Sequence, residues 1–147
     1  MDMTNREYGE YIRKKQPPSP VWRDTLRAFA VGGLICALGQ GLLSFYTARG
    51  LDRDSAGTAV SLTLVFLGAL LTGLGVYDDI ARFAGAGTLV PITGFANSVV
   101  APALEFKREG YITGTAVKMF TIAGPVIVFG ISASVVYGLV LVLFGLA

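Results

Sequence analysis

Residues 83 to 100 read FAGAGTLVPITGFANSVV. The stretch is apolar enough to lie in a bilayer, yet it carries three glycines, a central proline, two threonines, an asparagine and a serine. A membrane helix satisfies its own backbone, whereas Pro91 removes one donor and its ring clashes with the preceding turn. Val90, just before it, is pushed toward extended geometry. The stretch therefore predicts two short half-helices around an unwound centre, the second starting near Thr93 to Asn97.

The rest of the chain is built to hold such a break inside a membrane. Hydrophobic residues make up 53% of the 147 and charged residues 15%, with a mean hydropathy of +0.62, far to the apolar side of a soluble domain. Leu26 to Tyr46 and Ala56 to Val76 are apolar runs of the roughly 20 residues that cross about 30 Å of hydrocarbon. The loop TARGLDRDS joins them as an antiparallel hairpin, with Thr47 outside the membrane. Met119 to Ala147 is a longer run without a charge, which either tilts or bends at Gly124-Pro125. Residues 104 to 119 hold Glu105, Lys107, Arg108 and Glu109 and read as an interfacial connection.

Basic residues decide how the broken stretch sits. Suppose that residues 83–104 dip in and return, and that the N-terminus is cytoplasmic. The inside then collects Arg6, Arg13, Lys14, Lys15, Arg23, Arg27, Arg82, Lys107, Arg108 and Lys118, ten basic residues against Arg49 and Arg53 outside. A full crossing would move Lys107, Arg108 and Lys118 outside and leave seven against five. The expected fold is thus an all-α integral membrane protein with three transmembrane helices, about 26–46, 56–76 and 119–146, plus a broken, re-entrant helical hairpin at 83–104. Residues 1–25 form a polar cytoplasmic N-terminal segment, too long and too mixed in charge for a cleaved signal peptide, and 26–147 the membrane domain.

Small residues recur every four positions in both outer spans: Gly33, Ala37, Gly41 and Gly130, Ser134, Gly138. Such stripes let helices approach closely, either within the bundle or between subunits. Three spans are too few to surround a pore, which points to an oligomer. A weak internal match lays Arg27 to Gly39 over Lys118 to Gly130, a similarity that Gly-rich apolar runs often produce.

Chemistry is sparse. The chain has no His and a single Cys, Cys36, read as a small packing residue, and it lacks the nucleotide, nucleophile and zinc motifs. No enzyme, cofactor, metal site or nucleic-acid partner is expected. Asp78 and Asp79 could help hold a hard cation, but capping a helix junction is the plainer reading. Gln40, the one strong polar group deep in the first span, either bonds a neighbouring helix or faces a hydrated path. In the broken stretch Thr88, Thr93, Asn97 and Ser98 offer polar side chains, Pro91 makes the break and Gly94 allows close approach. Irregular backbone at membrane depth survives only where protein buries it or it lines a wet cavity, and a half-helix N-terminus there attracts anions. The lesser alternative is a packed hairpin with no part in transport.

These residues resemble the SpoVA membrane proteins of spore-forming Firmicutes. The likeness rests on EYGEYIRKKQPPSP, AFAVGGLICALGQ, FAGAGTLVPITGFANSVV and EGYITGTAVKMFTIAGPVIVFG, nearly the whole chain. A related subunit, SpoVAEb, shares FAGAG and a VP-x-TGF core but lacks so long a polar N-terminus. The resemblance implies an inner spore membrane location and a conduit for dipicolinic acid, as the free acid or calcium dipicolinate, taken up in sporulation and released in germination. It also implies SpoVAEb and the soluble thiolase-like SpoVAD as partners in a hetero-oligomer. A tension-gated channel and a non-conducting scaffold for soluble partners are the competing classes.

Overall fold

The computed structural model describes residues 4–15 and 20–145, and every regular element among them is helical. Helix α1, Asn5–Lys15, opens on a reciprocal cap. The Thr4 N–H donates to Glu7 Oε2 at 2.9 Å and the Glu7 N–H to Thr4 Oγ1 at 3.4 Å. These bonds, the Thr4 backbone N–H first, hold the Glu7 carboxyl below its ordinary range.

Helix α2, Val21–Ala48, overruns the predicted first span at both ends. Thr47 consequently lies in its last turn, with Oγ1 donating to the Leu43 carbonyl at 2.8 Å, and not in the connecting loop. Asp52 caps α3, Arg53–Gly73, by accepting from the Ser55 N–H at 3.1 Å. Helix α3 stops three residues before the predicted end because Gly75, at φ 73°, turns the chain into α4, Val76–Ala84.

Two pieces follow, α5 (Ala86–Leu89) and α6 (Ile92–Glu105). The predicted connection is helical on both sides of Gly110, which at φ 107° separates a 3₁₀ turn at Phe106–Glu109 from a π-helical turn at Tyr111–Ala116 that leads into α7, Val117–Leu143. Helix α7 runs on through Pro125. Its irregular winding sits earlier, where Gly114 is pressed so closely on the Phe106 carbonyl that a Cβ would overlap it. Among the described residues three helical runs are long and apolar enough to cross a membrane: Val21–Ala48, Arg53–Gly73 and Tyr111–Leu143.

Helices α2 and α3 form an antiparallel pair, tied by a 2.8 Å hydrogen bond between the Tyr46 and Thr63 hydroxyls. Helix α6 lies along α3, and α7 packs on α6. The register between α3 and α6 is informative. Gly68 meets Thr93 and Ala96, while Thr72 bonds to Asn97. Beyond them Thr72 and Asp78 share a groove with Ala101, Leu104 and Glu105. Both numbers rise together, so α6 runs parallel to α3 and returns to the end at which α3 finished. The broken segment enters and leaves at one end of the bundle.

Packing is concentrated at that end. The small-residue stripes do not contribute: among the described residues nothing beyond the helix's own backbone stands within 4 Å of a Cβ built on Gly33, Gly41, Gly130 or Gly138. Ala37 and Ser134 are exposed as well, and Cys36 lies exposed on α2 rather than packed.

Shared entry and exit dictates labelling. With Cys36 replaced by Ala, single cysteines at Asp79 and Lys107 should react with a membrane-impermeant maleimide from one side, and a cysteine at Arg49 from the other. Opposite sidedness of positions 79 and 107 would show that residues 83–104 cross.

Candidate functional site

The break is shared between two residues. Gly85 has φ 52° and ψ −119°, a conformation open to glycine, and ends α4. Pro91, at ψ 158°, turns the chain into α6. Val90, expected to be extended, keeps helical angles of φ −72° and ψ −43°, because it closes the single turn of α5 through a long 3.4 Å bond from its N–H to the Ala86 carbonyl. Close approach then sets the hairpin in place. A Cβ on Gly87 would overlap the Ala28 carbonyl of α2, and one on Gly94 the Thr88 carbonyl. The tip residues Leu89 and Val90 are 73% and 88% exposed.

A buried tyrosine clasps the fold. Tyr77 on α4 is 3% exposed, and its hydroxyl lies 3.0 Å from the Thr88 carbonyl and 3.0 Å from Thr93 Oγ1. A carbonyl can only accept, so the single phenolic proton goes to Thr88 and the Thr93 hydroxyl completes the pair by donating to the phenol oxygen. One side chain thus joins α4 to both sides of the break. A second tie comes from α3, where Thr72 Oγ1 stands 2.7 Å from the Gly68 carbonyl and 2.9 Å from Asn97 Oδ1.

Cations pin the two ends of the segment. The Arg27 guanidinium, at the start of α2, lies 4.7 Å from the centre of the Phe83 ring, and Lys118 Nζ, at the start of α7, 4.2 Å from that of Phe106. Arg27 and Lys118 are the two residues that the internal sequence match superposes. Asp78 and Asp79 occupy the first turn of α4, with Asp79 3.5 Å from Arg82 on an exposed face, a pair worth little on its own. Among the described residues no group of three His, Cys, Asp or Glu comes together.

The structure gathers Thr88, Pro91, Thr93, Gly94, Asn97 and Ser98 at one place, and Gln40 at another, toward the far end of α2. Within the hairpin the polar groups are already engaged. Thr88 Oγ1 donates to the Gly85 carbonyl at 2.9 Å, Thr93 faces Tyr77, the Asn97 side-chain amide lies 2.9 Å from the Thr72 hydroxyl, and Ser98 Oγ donates to the Phe95 carbonyl at 2.7 Å. The first turn of α6 is covered, since Gly94 abuts the carbonyls of Thr88 and Leu89. Tyr77 and Thr72 are the residues that sequence reasoning passed over. For Tyr77 a signal existed: Tyr77, Ala81 and Ala84 recur at helical spacing opposite the charges of GVYDDIARF, the pattern of a buried face.

Residues 24–140 match the model of the SpoVAC/SpoVAEB sporulation membrane proteins. The chain belongs to that family. It is 48% identical over 141 residues to stage V sporulation protein AC of Bacillus subtilis (strain 168), a match covering 94% of each chain. No solved structure matches it. For this member of the SpoVAC/SpoVAEB family, the FAGAG and VPITGF blocks are the sequence of a hairpin that depends on Gly85, Gly87, Pro91 and Gly94.

The clasp should be measurable. Tyr77→Phe removes the donor to a buried carbonyl and is expected to cost about 1–3 kcal/mol of stability, seen as a lower unfolding midpoint of the purified protein in detergent. Gly94→Ala, which forces a methyl onto the Thr88 carbonyl, should be worse, and Gly33→Ala, with free space around it, close to neutral. Equal midpoints for all three would remove the clasp from the account of stability.

Proposed function

We propose that this chain is a membrane subunit of a conduit for dipicolinic acid or calcium dipicolinate, working in the inner spore membrane with its N-terminus in the cytoplasm. The observation that carries the reading is the break itself: irregular backbone whose inner side meets Tyr77, Thr72, Thr93 and Asn97, while Gly85, Leu89 and Val90 face outward, where water or a partner subunit would have to cover them. Membership of the family, with the transport role that the SpoVA resemblance implies, supplies the substrate. The ten-to-two distribution of basic residues supports the orientation.

The arrangement described is the closed one. A dicarboxylate would meet donors in the hairpin once α5 draws away from α6: the first N–H groups of α6 are freed, and the Tyr77 phenol, having lost Thr88, donates to Thr93 Oγ1, whose own proton then turns to the ligand. The Tyr77 clasp opposes that motion. Conduction also needs further walls: among the described residues α7 packs chiefly on α6 and the turns before it, and the glycines of both small-residue stripes meet no neighbouring element. SpoVAEb and the soluble SpoVAD, the partners implied by the resemblance, fit a hetero-oligomer that covers these faces.

A tension-gated channel is the second reading, favoured by the tip, where exposed Leu89 and Val90 give bilayer stretch an apolar handle on the clasp. Liposomes holding the chain with its membrane partner separate the two. Dipicolinate flux without osmotic downshift supports the first, and flux of any small solute on downshift alone supports the second. In the first case Thr93→Val and Asn97→Leu should each lower flux about fivefold, the equivalent of one hydrogen bond of about 1 kcal/mol, at unchanged protein content. Absence of flux under either condition would leave the scaffold class.

A further inference from the structure

The end of α2 remote from the hairpin carries a second polar feature. Gln40, Ser44 and Thr47 stand at spacings of four and three, one face of a helix, and with Leu43, Ala48 and Arg53 they line a groove of about 450 Å³ beside the start of α3. Gln40 lies eight residues from the end of α2, about 12 Å along the axis at 1.5 Å per residue. That is well inside the hydrocarbon.

The groups differ in how far they are engaged. The Thr47 hydroxyl is turned back on the Leu43 carbonyl. The Gln40 amide, the Ser44 hydroxyl and the Arg53 guanidinium have no hydrogen bond or ion pair among the described residues. Leaving an amide without partners in hydrocarbon costs several kcal/mol, so a face of this kind is kept where water reaches it. The charge at the mouth has one sign. Arg53 also lines the neighbouring groove along α3 together with Asp54, but Asp54 takes no part in the groove of Gln40. Asp52 is turned away to cap α3 at Ser55, and Arg49 lies over the Phe45 ring, 4.8 Å from its centre.

We infer that this groove is a hydrated site for small organic anions of the carboxylate or sulfonate class, with Arg53 as the charge at its mouth and Gln40 and Ser44 as the neutral donors further in. It rests on the conduit reading only for the identity of the natural anion. It places a second anion contact on the side of the membrane opposite the hairpin, so that a dianion released by one meets a donor set at the other.

The test needs no transport. In a Cys36→Ala background, single cysteines at Gln40, Ser44 and Leu38 are exposed to anionic sulfonatoethyl methanethiosulfonate and to its cationic trimethylammonium counterpart. The reagents are added from the side of the α2–α3 loop, to membranes of the producing cell with its partners present. Leu38 is the control at similar depth on an exposed apolar face. A thiol in hydrocarbon forms no thiolate, so Gln40→Cys and Ser44→Cys should react at least about tenfold faster than Leu38→Cys. The anionic reagent should be favoured. Adding Arg53→Gln should reverse the preference, and Arg53→Lys should restore it. Equal reactivity at positions 40, 44 and 38, or a charge preference indifferent to Arg53, would overturn the inference. The two readings fail separately: dipicolinate flux with unreactive positions 40 and 44 removes the groove and keeps the conduit, whereas reactive positions without flux keep the groove and remove the conduit.

Discussion

Hydrocarbon offers a backbone no hydrogen bonds, and the architecture follows from satisfying one interrupted helix under that constraint. Gly85 and Pro91 together free carbonyls and N–H groups that an unbroken helix would have paired internally. Tyr77 supplies a donor to the Thr88 carbonyl, and Thr88 in turn donates to the carbonyl of Gly85. For the phenol to reach the break, α4 must fold back under it, which explains why α3 ends at Gly73 and turns at Gly75 instead of continuing through the apolar residues that follow. Gly87 and Gly94 then bring α5 against α2 and α6 against α5, close enough that protein takes the place of lipid on the inner side of the irregular backbone, while Gly85, Leu89 and Val90 stay exposed on the outer side. The clasp and the glycines answer one requirement in two ways, by adding a polar partner and by removing side-chain bulk.

Much of this was legible in the sequence, because composition and local rules govern it. Pro91 announces the break, the apolar runs announce three spans, and the cluster of Lys107, Arg108 and Lys118 announces a return to the N-terminal side, in agreement with the parallel register of α6 on α3. What the residues did not disclose depends on which partners meet across the fold. Tyr77 is separated by 11 residues from Thr88 and by 16 from Thr93. Thr72 is 25 residues from Asn97. The spacing of Tyr77, Ala81 and Ala84 marks a buried face, but nothing in a local window says which carbonyl the tyrosine meets. The acids attracted the reading, although they serve the first turn of α4 and lie in solvent. The polar residues of the hairpin were legible as polar but not as mutually engaged, since engagement depends on which elements meet across the fold.

The molecule is uneven along its axis. At the hairpin end lie the buried residues Tyr77, Ala84, Thr88, Thr93 and Ala96, with the two cation–ring contacts of Arg27 and Lys118 around them. Beyond Pro125, α7 presents Val128, Phe129, Ile131, Val135 and Val136 to its surroundings with no intrachain cover. Apolar side chains gain little by meeting each other in lipid, so that bare half costs nothing in isolation and contributes nothing to the fold of the monomer. Stability within the chain accordingly comes chiefly from the hairpin end, with the Tyr46–Thr63 bond and buried Ala56 joining the outer ends of α2 and α3, and it is the outer half of α7 that is free to be shaped by assembly.

That unevenness bears on how the hairpin could move. Because α5 is a single turn held by the clasp, by Thr88 and by contact with α2, drawing it away from α6 disturbs few bonds, whereas α6 is anchored along α3 and under α7. The natural line of separation therefore runs between Thr88 and Gly94, the same line on which Tyr77 sits. Its phenol has one proton and two neighbours 3.0 Å away, so a shift of α5 can leave it bonded to Thr93 after Thr88 has gone. A side chain that keeps one partner while losing the other lowers the barrier between the two arrangements. Tyr77 is on that account suited both to hold the hairpin shut and to let it part without ever leaving its own hydroxyl unpaired.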